Sequence, residues 1–373
     1  TGFPWLYIGY TAVDNSLLQG YIPILGIFGI GFLIVLISQI FLDLLDGLRD
    51  LTQSKSLYLS CLVLIIVFIG NQPLKNLNWT ESIGKISATV VQPNIDIKEK
   101  WTQKGLQKIE SAIEKKLNQN PPQNLTQSSV IFWPEVTLTS LIQKDRINEF
   151  RNNILKENNI LGMVIGALSE NKSEEINNSL IGIGNISGIY DKKFLVPFGE
   201  YVPLSGLFSV FFDFFNFNRP QIFSGNKSEL IGNDFIKISS AICYEIAYQN
   251  IFLSNSKKTN ILFNASNDNW FGTGLGPHQH LQIARFRAAE HQKYLVRSTS
   301  TGISALINHH GQVIKKIETS TDKNELKSFQ GDVILKSGQT PYAYFGKNPF
   351  LFILVIIFFI SAILKFRRDE NFI

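Results

Sequence analysis

The stretch Phe235-Ile236-Lys237-Ile238-Ser239-Ser240-Ala241-Ile242 is a mainly apolar run that ends at Cys243-Tyr244-Glu245. Its length and its β-branched residues predict a strand. A thiol at the end of a buried strand, with a carboxylate close behind it, is well placed to act as a nucleophile. The alternative is a small buried core residue, which is the more common fate of a free cysteine.

Cysteine is scarce in this chain of 373 residues. The other cysteine is Cys61, which lies in a hydrophobic stretch with the character of a membrane span. Cys243 therefore has no evident disulfide partner, and a thiolate cluster around a metal ion is excluded. His278-Gln279-His280 and His309-His310 have no carboxylate or thiol companion at ligand spacing, so we predict no metal site and no cofactor.

Short β-like runs alternate with helical stretches from about residue 85 to residue 344. The strand candidates are residues 86–91, 130–133, 163–168 and 261–264, and the helix candidates are residues 105–117 and 280–293. This alternation predicts an α/β domain with a largely buried sheet.

Two more reactive side chains follow predicted strands. Glu135 comes after Pro134, which cannot donate a hydrogen bond to a sheet and so marks the end of a strand. Lys192 follows the run from Ser187 to Asp191. Loops at the ends of buried strands often carry functional groups. The simpler interpretation is a surface carboxylate for Glu135 and a solvated turn residue for Lys192.

A carboxylate, an ammonium and a thiol together support acyl transfer through a thioester. The carboxylate can take the thiol proton as general base. The ammonium can stabilise the thiolate and then the oxyanion of a tetrahedral intermediate. This chemistry needs no histidine, and the five histidines of the chain show no catalytic spacing.

Three stretches lack charge over membrane-like lengths: residues 15–42, 56–74 and 348–364. A bilayer core needs about 20 apolar residues, with about 17 as the lower limit. We therefore predict a membrane region at residues 1–80 with helices at about 20–42 and 56–72, a catalytic domain at 81–345, and a third span with a short cytoplasmic tail at 346–373. The alternative for each stretch is a buried helix of a soluble protein.

Basic residues predict the orientation of these spans. Arg49 and Lys55 lie between the first two spans, and Lys365, Arg367 and Arg368 follow the third. If both groups are cytoplasmic, the large middle domain lies outside the cytoplasm. The net charge of +5 predicts a mild attraction to anionic lipid. Without a basic run interleaved with aromatic residues, we predict no nucleic-acid partner.

Five motifs occur in order along the chain. They are Trp133-Pro134-Glu135, Tyr190-Asp191-Lys192, Leu195-Val196-Pro197-Phe198-Gly199-Glu200-Tyr201-Val202-Pro203, Cys243-Tyr244-Glu245 and Ser266-Asn267-Asp268-Asn269-Trp270-Phe271-Gly272. Together they resemble the nitrilase superfamily and, within it, the membrane-bound apolipoprotein N-acyltransferase family. Residues 195–203, Gly276-Pro277 with Gln279-His280, and residues 338–343 are the motifs most specific to that family. The family has more N-terminal membrane helices than this chain, which therefore resembles a truncated member.

The resemblance implies a four-layered α-β-β-α sandwich with flanking transmembrane helices, in the bacterial inner membrane and with its catalytic domain in the periplasm. Glu135 would be the general base, Lys192 the oxyanion stabiliser and Cys243 the nucleophile. A glycerophospholipid, with phosphatidylethanolamine as the expected donor, would acylate Cys243. The amino group of the diacylglyceryl-cysteine of an apolipoprotein would then accept the acyl chain in a ping-pong reaction.

Four supporting residues carry over from the family motifs: Trp101, Glu200, Tyr244 and Glu245. Trp101 would lie on a loop over the cleft, and Glu200 would orient Lys192 or the attacking amine. Tyr244 and Glu245 flank the thiol and would shape the pocket. Structural roles are the alternative for Trp101 and Glu200, as ordinary packing and a salt-bridged side chain respectively.

The segment Leu207-Phe208-Ser209-Val210-Phe211-Phe212-Asp213-Phe214-Phe215-Asn216-Phe217 is rich in phenylalanine. We interpret it as an arm that dips into the outer leaflet and guides lipid chains, and a buried helix is the alternative. Two other functions stay open on sequence alone. One is a membrane-anchored nitrilase-type amidase that uses water as acceptor, and the other is an anchored scaffold without activity.

Overall fold

The computed structural model describes residues 3–49, 54–95, 97–119, 129–144, 162–197, 199–201, 222–226, 229–272, 274–318 and 325–370. The chain divides into two compact units. The first unit holds residues 1–80, 289–292 and 338–373, and the second holds residues 81–288 and 293–337. The phenylalanine-rich segment at 207–217 lies outside the described residues.

The described helices and strands follow one another along the chain. The α-helices are α1 (Ile22–Arg49), α2 (Ser54–Lys75), α3 (Ile97–Lys100), α4 (Gln103–Gln119), α5 (Gly276–His291), α6 (Pro341–Phe345) and α7 (Asn348–Glu370). The strands are β1 (Thr80–Gln92), β2 (Ser129–Phe132), β3 (Leu138–Gln143), β4 (Gly162–Glu170), β5 (Ile176–Gly184), β6 (Ile189–Asp191), β7 (Ile231–Gly232), β8 (Lys237–Ile242), β9 (Ile261–Ser266), β10 (Leu295–Thr299), β11 (Ser304–Ile307), β12 (Val313–Ile317) and β13 (Lys327–Gly338).

The first unit contains the apolar helices. Residues Gln19–Asp46 and Tyr58–Lys75 are long and apolar enough to cross a bilayer, with mean hydropathies of 2.5 and 1.5. The apolar part of α7 is shorter and runs over Asn348–Ile363. Helices α1, α2 and α7 cover most of the three stretches in which the spans were predicted.

Helix α1 is interrupted at Gly26, whose backbone has φ 60° and ψ −169°. The ring of Tyr342 occupies the space that a side chain at this position would need, so glycine is required there. The N–H of Ile27, just after the break, donates a hydrogen bond to the Glu290 carboxylate at 3.2 Å. Glu290, from a distant part of the sequence, thus accepts a hydrogen bond from the N–H group next to the break in the helix.

Two mixed sheets form the centre of the second unit. In the first sheet the strand order is β13-β1-β2-β4-β5-β6, and β3 pairs with β4. In the second sheet the order is β12-β11-β10-β9-β8-β7. Strands β1, β2 and β4 are parallel to one another, as are β8, β9 and β10. The carboxyl ends of these parallel strands therefore lie at one edge of each sheet.

The two sheets pack against each other, and helices cover them. Phe132 of β2 and Phe263 of β9 meet between the sheets with ring centroids 4.9 Å apart. Ile109 and Ile113 of α4 pack with the first sheet in one buried apolar cluster. Helix α5 is largely buried and reaches the second sheet through His280, which contacts the residue after β8. This arrangement confirms the predicted α/β sandwich.

The predicted strand at residues 235–242 begins two residues later, at Lys237. The side-chain oxygen of Asn233 accepts hydrogen bonds from the N–H groups of Phe235 and Ile236, and this local turn competes with strand pairing. The predicted helix at residues 280–293 starts earlier, at Gly276, and ends at His291. Pro277 explains the early start, because proline is favourable in the first turn of a helix.

Candidate active site

Cys243 directly follows β8 and opens a short 3-10 turn, Cys243–Ala247. Its backbone has φ 55°, in the left-handed region that residues other than glycine seldom adopt. The side-chain amide of Asn264, on the neighbouring strand β9, donates to the carbonyl oxygens of Ala241 at 3.0 Å and Cys243 at 3.2 Å. The thiol is therefore carried on a strained turn that its neighbours hold in place.

Glu135 lies in a second strained turn, just after β2. Val136, the next residue, has φ 44°, which is unusual for a β-branched side chain. The hydroxyl of Thr137 donates to the Pro134 carbonyl at 2.8 Å and closes the turn. Glu135 is 7% exposed, so its carboxylate lies inside the protein rather than on the surface.

Lys192 follows β6 and is 1% exposed. Its ammonium lies 3.3 Å from Glu135 Oε1 and 2.8 Å from Glu200 Oε1. The side-chain amide of Asn178 in β5 donates to the same two oxygens, at 2.8 Å and 3.2 Å respectively. Lys192 is therefore held between two carboxylates, and the interpretation as a solvated turn residue is wrong.

The charges of Glu135 and Lys192 both act on the Cys243 thiol. Burial and, after it, the charge of Glu135 raise the pKa of Cys243 to about 12, although the charge of Lys192 opposes the rise. Burial alone would lower the pKa of Lys192, but Glu135 and Glu200 outweigh it and raise that pKa well above its ordinary value. The site at rest thus pairs a protonated thiol with a charged ammonium.

Glu200 is positioned by the backbone of its own loop. Its second carboxylate oxygen accepts the N–H of Val196 at 2.8 Å, while its first accepts the Lys192 ammonium. This geometry suits the predicted role of orienting Lys192.

Glu245 connects the segment after Lys192 to the turn of Cys243. Its carboxylate accepts the N–H groups of Lys193 at 2.6 Å, Phe194 at 3.0 Å and Ile242 at 2.7 Å, and the Tyr190 hydroxyl at 3.0 Å. Burial raises the pKa of Glu245 to about 7, against the lowering effect of these backbone donors. Its contacts join two loops of the site.

Tyr244 faces the loop that follows Lys192. Its hydroxyl donates to the Leu195 carbonyl at 2.7 Å, and its ring lies 5.8 Å from the Lys192 ammonium. Trp101 follows α3 and is 58% exposed. That exposure leaves its large apolar face available for a ligand and speaks against ordinary packing.

Sequence reasoning missed Lys100, although it lies beside Trp101. Lys100 is 4% exposed, and its ammonium donates to the Glu135 carbonyl oxygen at 3.1 Å. Burial lowers the pKa of Lys100 to about 8, while Glu135 acts in the opposite direction. Lys100 lies in the run Lys98-Glu99-Lys100, and alternating charges of this kind are typical of exposed residues.

Asn178 and Asn264 were missed as well. Both are polar residues buried within strands. The available signal was Asn264, a polar residue directly after the apolar run that opens β9. Within the ranges that the structure describes, no group of three or more His, Cys, Asp or Glu side chains could hold a metal ion.

Comparison with known proteins agrees with this geometry. Residues 87–326 match the family described as Carbon-nitrogen hydrolase, and residues 1–40 match the Apolipoprotein N-acyltransferase N-terminal domain. An Apolipoprotein N-acyltransferase of Wigglesworthia glossinidia brevipalpis is 33% identical over 98% of this chain and 72% of its own length. That of Haemophilus influenzae is 32% identical over 100% of this chain and 72% of its own length.

Among solved structures, Saccharomyces cerevisiae Nit3, a member of branch 10 of the nitrilase superfamily, has 15% sequence identity and a TM-score of 0.49. That similarity covers 69% of this chain and 92% of Nit3. The two sequence matches are the findings that decide the family, because they include both the catalytic segment and the membrane segment. The chain belongs to the apolipoprotein N-acyltransferase family and is an acyltransferase built on the carbon-nitrogen hydrolase fold.

Proposed function

We propose that the chain moves a fatty acyl group from a glycerophospholipid to the N-terminal amine of an S-diacylglyceryl-cysteine in apolipoproteins. Glu135 acts as general base, Lys192 stabilises the oxyanion and Cys243 is the nucleophile. The observation that carries this proposal is the buried Lys192 ammonium, 3.3 Å from Glu135 and close enough to Cys243 to act on its pKa. These three side chains supply the groups that thioester chemistry requires.

The first half-reaction begins from a protonated thiol. A thiol with a pKa of about 12 is almost entirely protonated near neutral pH, so its proton must leave as the sulfur attacks. Glu135 accepts that proton while sulfur bonds to the ester carbonyl of the donor. Lys192 faces the negative charge that develops on the carbonyl oxygen. Collapse breaks the ester bond, and the departing lysophospholipid oxygen takes the proton from Glu135.

The second half-reaction runs through the same groups. The neutral amine of the acceptor attacks the thioester carbonyl and loses a proton to Glu135, and Lys192 again faces the oxyanion. The carbon–sulfur bond then breaks, and the leaving sulfur regains a proton from Glu135. Glu200 keeps the ammonium in place through both half-reactions, because it holds Lys192 at 2.8 Å while Glu135 changes its protonation state.

We place the enzyme in the bacterial inner membrane as a multi-pass protein with its catalytic unit in the periplasm. The apolar helices support the membrane assignment. The orientation rests on the basic residues Arg49 at the end of α1 and Lys55 at the start of α2, and on Lys365, Arg367 and Arg368 at the end of α7. Membrane lipid would then supply the donor directly.

Intact-protein mass spectrometry tests this function. Incubation of the full chain with phosphatidylethanolamine should add one fatty-acyl mass to Cys243, and Cys243→Ala should gain none. A diacylglyceryl-cysteine peptide should release the mass as the N-acylated peptide much faster than water does. Equal release by water and by peptide would instead indicate an amidase-type hydrolase, and the absence of any adduct would contradict the proposal.

A further inference from the structure

The left-handed turn at Cys243 needs support from outside its own segment. Residues other than glycine keep such a conformation only when surrounding groups fix it. The carbonyl oxygen of Cys243 receives two side-chain contacts, from Asn264 Nδ2 and from His280 Nε2, each at 3.2 Å. Asn264 is the strand neighbour already described, whereas His280 belongs to helix α5 and comes 37 residues later in the chain.

His280 bridges the nucleophile and a buried ion pair. Its other ring nitrogen, Nδ1, lies 2.9 Å from Asp268 Oδ1. Asp268 Oδ2 in turn accepts a hydrogen bond from Arg297 Nη2 at 2.7 Å. All three side chains are at most 1% exposed, so solvent does not compete for these contacts. Asp268 and the Cys243 carbonyl are both hydrogen-bond acceptors, so the ring donates to the two of them at once only as an imidazolium, with a proton on Nδ1 and on Nε2.

The Asp268–Arg297 ion pair is itself held by several hydrogen bonds. Arg297 also donates to the side-chain oxygen of Asn264 through Nη1 and to the Ile303 carbonyl through Nε, the latter at 3.1 Å. The Ser266 hydroxyl donates to Asp268 at 2.8 Å. Arg297 thus ties together both residues that contact the Cys243 carbonyl. Such a satisfied buried network is rigid.

We propose that His280 is a positioning residue for the nucleophile: by bridging the Cys243 carbonyl and the Asp268–Arg297 ion pair, it holds the turn that directs the thiol toward Glu135 and Lys192. The inference rests on the proposed role of Cys243 as nucleophile. It gives a role to His280 and to Asp268, which the family motifs contain.

The two ends of the imidazole can be tested separately. The amide nitrogen of glutamine reaches about the position of Nε2, and that of asparagine reaches about the position of Nδ1. His280→Gln should keep the bond to the Cys243 carbonyl and lose the one to Asp268. His280→Asn should do the reverse. His278→Asn, two residues away on the exposed side of the same helix, is the matched control.

We expect His280→Asn to slow acylation of Cys243 by about 100-fold, the scale of a 1 Å misplacement of a reacting group. His280→Gln should lose only about five-fold, because its amide keeps the contact with the Cys243 carbonyl that holds the turn. His278→Asn should match the wild type. A second readout is the pH profile of Cys243 alkylation by iodoacetamide in a Cys61→Ser background. In His280→Asn this profile should shift toward the pH range in which an ordinary cysteine is alkylated, because a loosened turn lets the thiol reach water.

Circular dichroism and melting temperature must show that each variant is folded. Folded His280→Asn with wild-type acylation and an unchanged alkylation profile would overturn the positioning role. A greater loss of acylation rate in His280→Gln than in His280→Asn would also overturn the positioning role. The contact with Asp268, and not the one with the Cys243 carbonyl, would then be the one that matters. If wild-type enzyme forms no acyl adduct at Cys243, the proposed function fails instead, and the alkylation profiles still report on the turn.

Discussion

At the scale of single residues, the reactivity of this site depends on where charge is buried. The thiol of Cys243 is deprived of water, which disfavours the thiolate, while the ammonium of Lys192 keeps its charge because two carboxylates face it. Cysteine enzymes that store a thiolate use an environment of lowered pKa. Here the raised pKa of Cys243 requires that deprotonation accompany attack, and in the proposed mechanism Glu135 takes that proton.

This reasoning predicts the pH dependence of Cys243 alkylation. In a Cys61→Ser background, the rate with iodoacetamide should rise about ten-fold per pH unit between pH 7 and pH 10, because the thiolate fraction rises that way below the pKa. No plateau should appear in this range, since the pKa of Cys243 is about 12. Cys243→Ala in the same background should incorporate nothing. A plateau near pH 8.5 would mean that Cys243 titrates as an ordinary exposed cysteine.

At the scale of elements, strand β4 sets the position of the Glu135 turn. A side chain at Gly166 would lie 2.9 Å from the Glu135 carbonyl carbon and 2.5 Å from the Val136 N–H nitrogen. The backbone of the turn therefore rests directly on that of the strand. Gly162, earlier in β4, has the side chain of Ile186 in the corresponding place.

Gly166→Ala should push the turn away from β4 and displace Glu135. We expect a fall in turnover of about 10- to 100-fold, as for a misplaced catalytic group, together with about 1–3 kcal/mol of lost stability from overpacking. Gly162→Ala serves as control, because it crowds the same strand against Ile186 and should lose stability without a comparable loss of turnover. Acylation rates and thermal unfolding of both variants check this. Equal effects on turnover would show that β4 does not position Glu135.

At the scale of the whole molecule, the chain separates into two chemically different units. The first contains the apolar helices, and the second contains the two sheets and the polar network around Cys243. The end of α5, within residues 289–292, belongs to the first unit, although it lies far in sequence from the N-terminal helices of that unit. Its Glu290 completes the interrupted helix α1, as described above.

The orientation of the units in the membrane gives a further prediction. A cysteine introduced by Lys104→Cys, at an exposed position of α4, should react with a membrane-impermeant maleimide in right-side-out spheroplasts. One introduced by Arg368→Cys, near the end of α7, should react only in inverted vesicles. Cys61→Ser provides the background for both, and the unsubstituted background measures nonspecific labelling. The opposite pattern would place the catalytic unit in the cytoplasm and contradict the proposed orientation.

Much of the fold could be predicted from local patterns. The apolar runs of β1, β2, β4, β8 and β9 and the helical spacing in α4 are visible in the sequence, because burial of one face imposes a period on the residues. The boundaries were less accurate where a side chain competes with the backbone, as Asn233 does before β8. Strands such as β12, whose residues are largely exposed, carry too little apolar pattern to be recognised.

The sequence by itself determined which chemical groups were available: a thiol, an amine and a carboxylate at strand ends, in motifs that identify a family. Only the tertiary structure decided that Lys192 contacts Glu135, 57 residues away, and that His280 contacts Cys243. The reason is physical. Local patterns report which face of a segment is buried, whereas the distances between remote side chains, and the pKa values that follow from them, depend on how sheets and helices pack.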